Sequence, residues 1–573
     1  MQVLRITLPT RSRRYRSWLP WLGVSAATAL LVFPISFVDQ LLAERTAHPE
    51  SGSSGYVGNE ACAKCHASIY QSYQATRMAR ASGPATDSVI SGNFSHKKSG
   101  VNYRIYTENG RVWLSFDRPG DPSMRGSRQL LYYIGQGDLG RTYLFSEDGF
   151  LFEAPVNWYA QRQVWDMAPA YADAREAPLN LPALTSCLDC HVSGLQPPVP
   201  GTENRYKTPA FLYAGVTCER CHGPGAQHVN GGGIVNPAQL KPSKRDAICM
   251  QCHLEGDVAI ERAGKHLYQF RPGDDLSEYV RYYVRLDAPK ANLRATSQFE
   301  ALAQSTCKKK SGDTMSCTSC HDPHRFPTAQ ERVAHYRGKC LVCHGAAFGQ
   351  KHHVNQPDCT RCHMPANLSA DIVHTEVTDH RIPRRPSMGP PLLNSQAQSV
   401  LPRLVPFPAP EADHDDRDLA LAWASIADTG DPGAMKEAEQ KLRKAVTASP
   451  EDPELLASLA YLEQKRGASD DARQLYERAL KQDPTLLDAA TNLGVLDASS
   501  GNVRKAVTLW ESAFQRAPGR SSIGVNLARA FCAAGQIDAA RTFTLRVLQF
   551  NPDLAEAKKL LNGLNATPPK CTP

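Results

Sequence analysis

Cys218-Glu219-Arg220-Cys221-His222 is one of seven Cys-x-x-Cys-His stretches, and the array they form governs the reading of the whole chain. The other six have their cysteines at Cys62 and Cys65, Cys187 and Cys190, Cys249 and Cys252, Cys317 and Cys320, Cys340 and Cys343, and Cys359 and Cys362. The histidine closing each motif is His66, His191, His222, His253, His321, His344 or His363. Two thiols at this spacing bond covalently to a porphyrin edge, and the next residue places an imidazole beneath the iron, so the pattern marks c-type haem attachment. Paired Cys-x-x-Cys also suits a tetrahedral zinc site, but zinc gives no reason for a histidine after every second cysteine. A disulfide scaffold is the other structural alternative, and a two-residue spacing in every pair speaks against it. The sequence therefore predicts seven covalently attached haem c groups, with those seven histidines as proximal iron ligands.

Of 17 cysteines, the motifs use 14, leaving Cys307, Cys532 and Cys571. Haem attachment of this kind takes place outside the bacterial cytoplasm, and the N-terminus agrees with export. Arg11, Arg13, Arg14 and Arg16 precede an apolar run from about Trp18 to Val38. That run is longer than the roughly 7–15 residues of a signal-peptide core and long enough to span a bilayer. It is read as an uncleaved membrane anchor, ahead of a cleaved signal, with its basic flank inside. Arg13-Arg14 makes a poor twin-arginine signal, so Sec export to the periplasm or the outer face of the cytoplasmic membrane is expected. The formal net charge is +8. Each oxidised haem adds about one negative charge through its propionates, which nearly cancels the excess and removes the case for a nucleic-acid partner.

The 573 residues leave room for more than one domain. Residues 1–50 form the expected signal or anchor and tether, and 51–385 a seven-haem domain of short helices and loops around the haems. Within it, a small β-rich insert falls at about 95–165. Tyr103 and Ile105 alternate with Val112, Leu114 and Phe116 around Asn109-Gly110, a strong hairpin signal. Tyr143, Phe145 and Leu151 flank a second such turn at Asp148-Gly149. Residues 386–416 are rich in proline and read as a semi-rigid linker. From 417 to 566 the chain is periodic: Pro450, Pro484, Pro518 and Pro552 are 34 residues apart, as are Ala438, Ala472, Ala506 and Ala540. That period is the tetratricopeptide signature and predicts four paired-helix repeats with a capping helix, an all-α superhelix. Two roles stay open for it: binding a partner's segment in its groove, or spacing the haem domain.

The chain resembles the bacterial multihaem cytochromes c related to cytochrome c-554 that carry C-terminal tetratricopeptide repeats. The resemblance rests on Tyr56-Val-Gly before the first motif and on Cys218-Glu-Arg-Cys-His-Gly-Pro-Gly225-Ala-Gln-His228. It rests also on Cys317-Thr-Ser-Cys-His-Asp-Pro-His324, Cys362-His-Met-Pro365 and His374-Thr-Glu-Val-Thr-Asp-His380. It implies an extracytoplasmic electron-transfer protein with closely packed haems, and it implies His228, His324 and His380 as distal ligands. His335, His352, His353 and His374 are further distal candidates, His266 a weaker one, and His48, His96 and His414 read as surface residues. For each candidate the alternative is a solvated or hydrogen-bonding histidine. His324 lies three residues after His321, so their Cα atoms are at most about 11 Å apart, too close to grip one iron from both faces. His324, as a ligand, must serve a neighbouring haem. Where relatives carry Ser-x-His after the first motif, this chain has Thr76-Arg77-Met78, which makes Met78 a candidate ligand that would raise that haem's potential. The alternative is a core methionine beside Tyr70 and Tyr73.

Three functions are consistent with these residues. One is a pure electron relay, with every iron six-coordinate. A second is an oxidoreductase acting on a small nitrogen or sulfur compound at one open iron, with Cys307, Lys308 to Lys310 and Arg325 available nearby. Cys307 reads more simply as a buried or disulfide-bonded thiol. The third is a scaffold whose repeats dock a redox partner protein or respiratory complex, which combines readily with the first.

Overall fold

The turn at Asn109-Gly110 forms as its residues require. Both adopt positive φ, 51° and 71°, the pairing of a tight two-residue hairpin that matches the right-handed twist of its strands. In the computed structural model, which describes residues 55–571 apart from 172–173, 287–292, 353–354, 386–402, 410–415 and 429–430, this hairpin sits within a ten-stranded sheet. The proposed signal or anchor, His48, His353 and His414 lie outside the described residues.

The strands are β1 (Ser82–Pro84), β2 (Gly92–His96), β3 (Val101–Glu108), β4 (Arg111–Arg118), β5 (Asp121–Ile134), β6 (Gly140–Glu147), β7 (Phe150–Glu153), β8 (Val156–Tyr159), β9 (Val164–Met167) and β10 (Leu181–Pro182). The main path runs β10-β7-β6-β5-β4-β3-β2, with β1 on β5 and the β8–β9 pair on β6. Alternation places Val101, Tyr103 and Ile105 of β3 and Val112, Leu114 and Phe116 of β4 in one core, with Tyr103 opposite Phe116 and Ile105 opposite Leu114. Asp148-Gly149, at φ 51° and 80°, closes the β6–β7 hairpin and sets Phe145 against Phe152. The sheet is larger than the insert expected at about 95–165, because short strands containing Pro84 and Pro182 extend it at both ends. His96 is a correction to its surface reading: it is 6% exposed and bonded through Nδ1 to Ser99 Oγ at 2.8 Å.

The repeats form four helix pairs: Asp416–Ala427 with Pro432–Ala448, Pro453–Lys465 with Ser469–Gln482, Leu487–Ser499 with Val503–Arg516, and Ser521–Ala533 with Ile537–Phe550. Ala555–Leu564 caps them. Pro432 and Pro453 open their helices, where a missing N–H costs nothing, and Asp431 and Asp452 cap the same ends by accepting from Ala434 N and Leu455 N. The periodic alanines Ala438, Ala472, Ala506 and Ala540 are fully buried where helices cross. Gly494 serves the same purpose, since a Cβ there would lie 2.4 Å from the Trp510 indole nitrogen.

Between the sheet and the repeats lies a built interface. Asp553, just after the periodic Pro552, accepts from the Arg118 guanidinium through both oxygens, from Ala177 N at 2.8 Å and from Lys558 at 3.2 Å. Phe550 packs on Phe152 with ring centres 5.7 Å apart and belongs to the sheet's core cluster. After Pro518, Gly519 accepts from Asn180 and Arg520 pairs with Glu203. At the other end Arg262 pairs with Asp418. Part of the proline-rich stretch expected to be linker is also structured: Leu404–Phe407 adds a strand to Val280–Arg285, with Pro406 opposite Tyr283. An edge strand tolerates proline because its outward N–H has no partner to lose. The repeats thus pack along the haem-motif region through several of their proline turns.

Cys532 and Cys571 form a disulfide, 39 residues apart, that ties the chain beyond the capping helix to the last repeat. By the chain-entropy argument, a loop of this length gains about 4 kcal/mol from cross-linking. Cys571→Ser is expected to lose most of that in a denaturant titration, and a reductant should abolish the difference between the two proteins.

Candidate functional site

Each motif sits on a helical turn, which explains its spacing. His66 N donates to Cys62 O, His222 N to Cys218 O and His321 N to Cys317 O, at 2.9–3.0 Å. An i to i+4 bond of this kind brings the histidine to the same face as the first cysteine. Thiols and imidazole then converge on one plane of space beside the turn.

Facing imidazoles are the main geometric finding. His66 faces His228 with ring centres 6.3 Å apart and planes 13° from parallel. His222 faces His324 at 6.0 Å and 12°. His321 faces His380 at 6.2 Å, and His363 faces His352 at 6.1 Å. Metal–imidazole bonds of about 2.0–2.1 Å on each side, plus about 1.1 Å from each nitrogen to its ring centre, set two ligand rings about 6 Å apart across one metal ion. The four gaps fit an iron held between two histidines.

The surroundings orient these rings. His222 Nδ1 donates to Val235 O at 2.9 Å, His228 Nδ1 to Gly232 O at 3.1 Å, His363 Nδ1 to Pro383 O at 2.9 Å and His380 Nδ1 to Thr378 O at 2.9 Å. A carbonyl can only accept, so the proton stays on Nδ1 and the Nε2 lone pair is left for a metal. Burial also keeps rings neutral: it lowers His222, His253 and His380, and with neighbouring histidines it pushes His321 down to about 4.

Thiols from different motifs neighbour one another: Cys62 with Cys218, Cys190 with Cys252, Cys249 with Cys317, and Cys340 with Cys359. Glu219, inside the third motif, binds the lead-in to the first, accepting from Val57 N and Gly58 N at 2.9 Å, while Asn59 accepts from Cys218 N. This gives Tyr56-Val-Gly its physical role: the lead-in is clamped to a motif about 160 residues away.

Other expected positions come out differently. The ring that faces His66 is that of His228, and the Met78 carbonyl accepts from Ala81 N and Val216 N. His374 is taken by Asp166, with Nε2 and Oδ2 2.8 Å apart, and sits at φ 57°. His266 pairs with Glu261 at 2.8 Å and stacks on Tyr268. His335 faces no motif histidine, yet its Nε2 is buried without a hydrogen-bond partner among the described residues, so its lone pair stays available. Among those same residues, no imidazole faces His191, His253 or His344 at the paired spacing. Cys307 is half-buried and unpaired, while Arg325 is held by Glu331 and Lys308 by Asp246 and Met315 O, so these cations are engaged within the fold. The carbonyls that orient the rings, and the contacts among thiols, carried no signal in the sequence.

Comparison with known proteins divides the chain along the same lines. Residues 160–223 match the family described as cytochrome c554 and c-prime, and residues 431–495 and 497–564 match the tetratricopeptide repeat. A multiheme cytochrome MtrA of Shewanella baltica is 27% identical over 225 residues, which is 34% of this chain and 64% of that relative's length. Solved structures similar to part of the chain include a MamA protein, at 20% identity, 24% of this chain, 73% of that one and a TM-score of 0.22. A second is the Pseudomonas aeruginosa pilF protein, at 21% identity, 26% of this chain, 67% of that one and a TM-score of 0.24. The chain therefore joins a region similar to cytochrome c554 and to a multihaem cytochrome with a C-terminal array of tetratricopeptide repeats.

Proposed function

We propose that this chain is an extracytoplasmic seven-haem c-type cytochrome that relays electrons, with its repeats docking a redox partner. Four facing histidine pairs at 6.0–6.3 Å carry the reading. Bound haem supplies a one-electron iron couple at each motif. The chain's own residues do the rest. Fourteen motif cysteines anchor the groups, and His66, His191, His222, His253, His321, His344 and His363 ligate from the proximal side. His228, His324, His352 and His380 reach across from other segments. Since each of these distal histidines belongs to a stretch near a different motif or lies between two, the ligand pairs lock motifs one, three, five and seven into a single array. Rings held on both sides by these histidines would leave no ligand to exchange on electron transfer, and their buried setting would leave little water to reorganise.

Support for an oxidising compartment comes from the Cys532–Cys571 bond, which cytosolic proteins of mesophiles rarely keep. No helix among the described residues is long and apolar enough to cross a membrane. Since the haem-motif region already occupies several proline turns of the repeats, partner contact would fall on the remaining helix faces.

A second reading, an oxidoreductase with one open iron, is favoured by His191, His253 and His344, which face no imidazole at the paired spacing among the described residues. Electron paramagnetic resonance of the oxidised protein, with haem counted by pyridine haemochrome, separates the two. Seven haems, all low-spin, support the relay. One high-spin centre that shifts on adding nitrite or hydroxylamine supports the enzyme, and fewer than seven haems per chain defeats both as stated.

A further inference from the structure

Arg220 and Asp189 are interior residues of two different motifs, the third and the second, and they form a buried ion pair. Nη2 of Arg220 lies 3.2 Å from Asp189 Oδ1, with the side chains 9% and 3% exposed, and it also donates to the Asp189 carbonyl at 3.1 Å. The neighbouring thiols of Cys190 and Cys252 lie beside the guanidinium, and Cys221 follows Arg220 directly. The pair therefore occupies the meeting point of motifs two, three and four. Neither carboxylate oxygen of Asp189 has a well-formed hydrogen bond among the described residues, so the guanidinium is its principal compensation. The other charges acting on it are Arg271 and Glu261. A buried pair is weak in stability terms, since apolar residues of the same volume often do as well. Its charges, in contrast, act strongly on anything redox-active beside it, because little water screens them.

Resting on the cytochrome reading, we propose that the Arg220–Asp189 pair positions and balances the charge that sets the reduction potentials of the haems on motifs two, three and four. A guanidinium cannot give up its proton, so it favours the reduced, more negative state of a neighbouring iron. The carboxylate opposes it. Together they nearly cancel, and removing either one unmasks the other.

The test is a spectroelectrochemical titration of the full haem-loaded chain and three variants. Asp189→Asn is expected to shift three of the seven steps to higher potential. Arg220→Gln is expected to shift the same steps lower. The double variant, which leaves neither charge bare, should return them close to the wild-type values. Single variants that move the steps in the same direction, or leave them unmoved, overturn the proposal. So does a double variant displaced as far as either single one, and this arm reads out even where an unbalanced single variant loses haem. Counting haem in the wild type keeps the two ideas apart. Fewer than seven would defeat the cytochrome reading, whereas seven with unmoved steps would defeat only the role of the pair.

Discussion

Asp553→Ala is expected to cost about 3–5 kcal/mol of folding stability, the usual penalty for stripping one partner from a buried ion pair. Asp553 is 4% exposed and accepts from Arg118, Lys558 and Ala177 N. Alanine removes every one of those acceptors at once. The guanidinium of Arg118 then keeps only Asp121 and the Ser99 carbonyl among its described partners, and Ala177 N–H is buried without a partner. Asp553→Asn should cost less, since an amide oxygen can still accept from Ala177 N. The residue joins two bodies of structure, so the form of the unfolding curve is as informative as its midpoint. A single transition in urea, followed by far-UV circular dichroism, should split in two as the repeats separate from the sheet. A variant as stable as the wild type, with one transition, would mean that the repeats are merely tethered to the haem-motif region.

Local signals were legible in the sequence and long-range ones were not. Asn109-Gly110 and Asp148-Gly149 specify their hairpins through backbone conformation alone, and a strict 34-residue period specifies the helix pairs. The motifs name their own proximal candidates because Cys and His share one helical turn. Distal partners are another matter. His66 meets His228 from 162 residues away, and nothing local to either residue encodes that distance. Proximity to a motif carries little information: the ring facing His66 is that of the distant His228 rather than anything in the adjoining Thr76-Arg77-Met78 stretch, and His374 is hydrogen-bonded to Asp166. Proline density hid the strand Leu404–Phe407, because the same residues that mark a linker are tolerated on a sheet edge. The disulfide escaped notice for the reverse reason, since cysteines 39 residues apart have no fixed partner until the repeats stack.

His324→Ala should open one iron without detaching its haem. His324 faces His222, whose motif keeps both of its cysteines, so seven haems per chain are expected by mass while one centre turns high-spin. The opening falls on motif three, although the substituted residue follows motif five, because an imidazole three residues beyond His321 cannot reach round to that iron's other face. Added imidazole should restore the low-spin signal, which a general loosening of the fold would not allow. His324→Met should instead keep six ligands and raise one potential. His374→Ala provides the contrast. Its ring is bonded to Asp166 rather than set against a motif histidine, so its loss should leave every spin state unchanged. If His324→Ala stays wholly low-spin and His374→Ala does not, the pairing of rings across motifs is wrong, and the distal ligands follow sequence neighbours after all. The expected order of effects is the reverse: the spin state of a haem on motif three is governed from a stretch of chain about a hundred residues downstream of it.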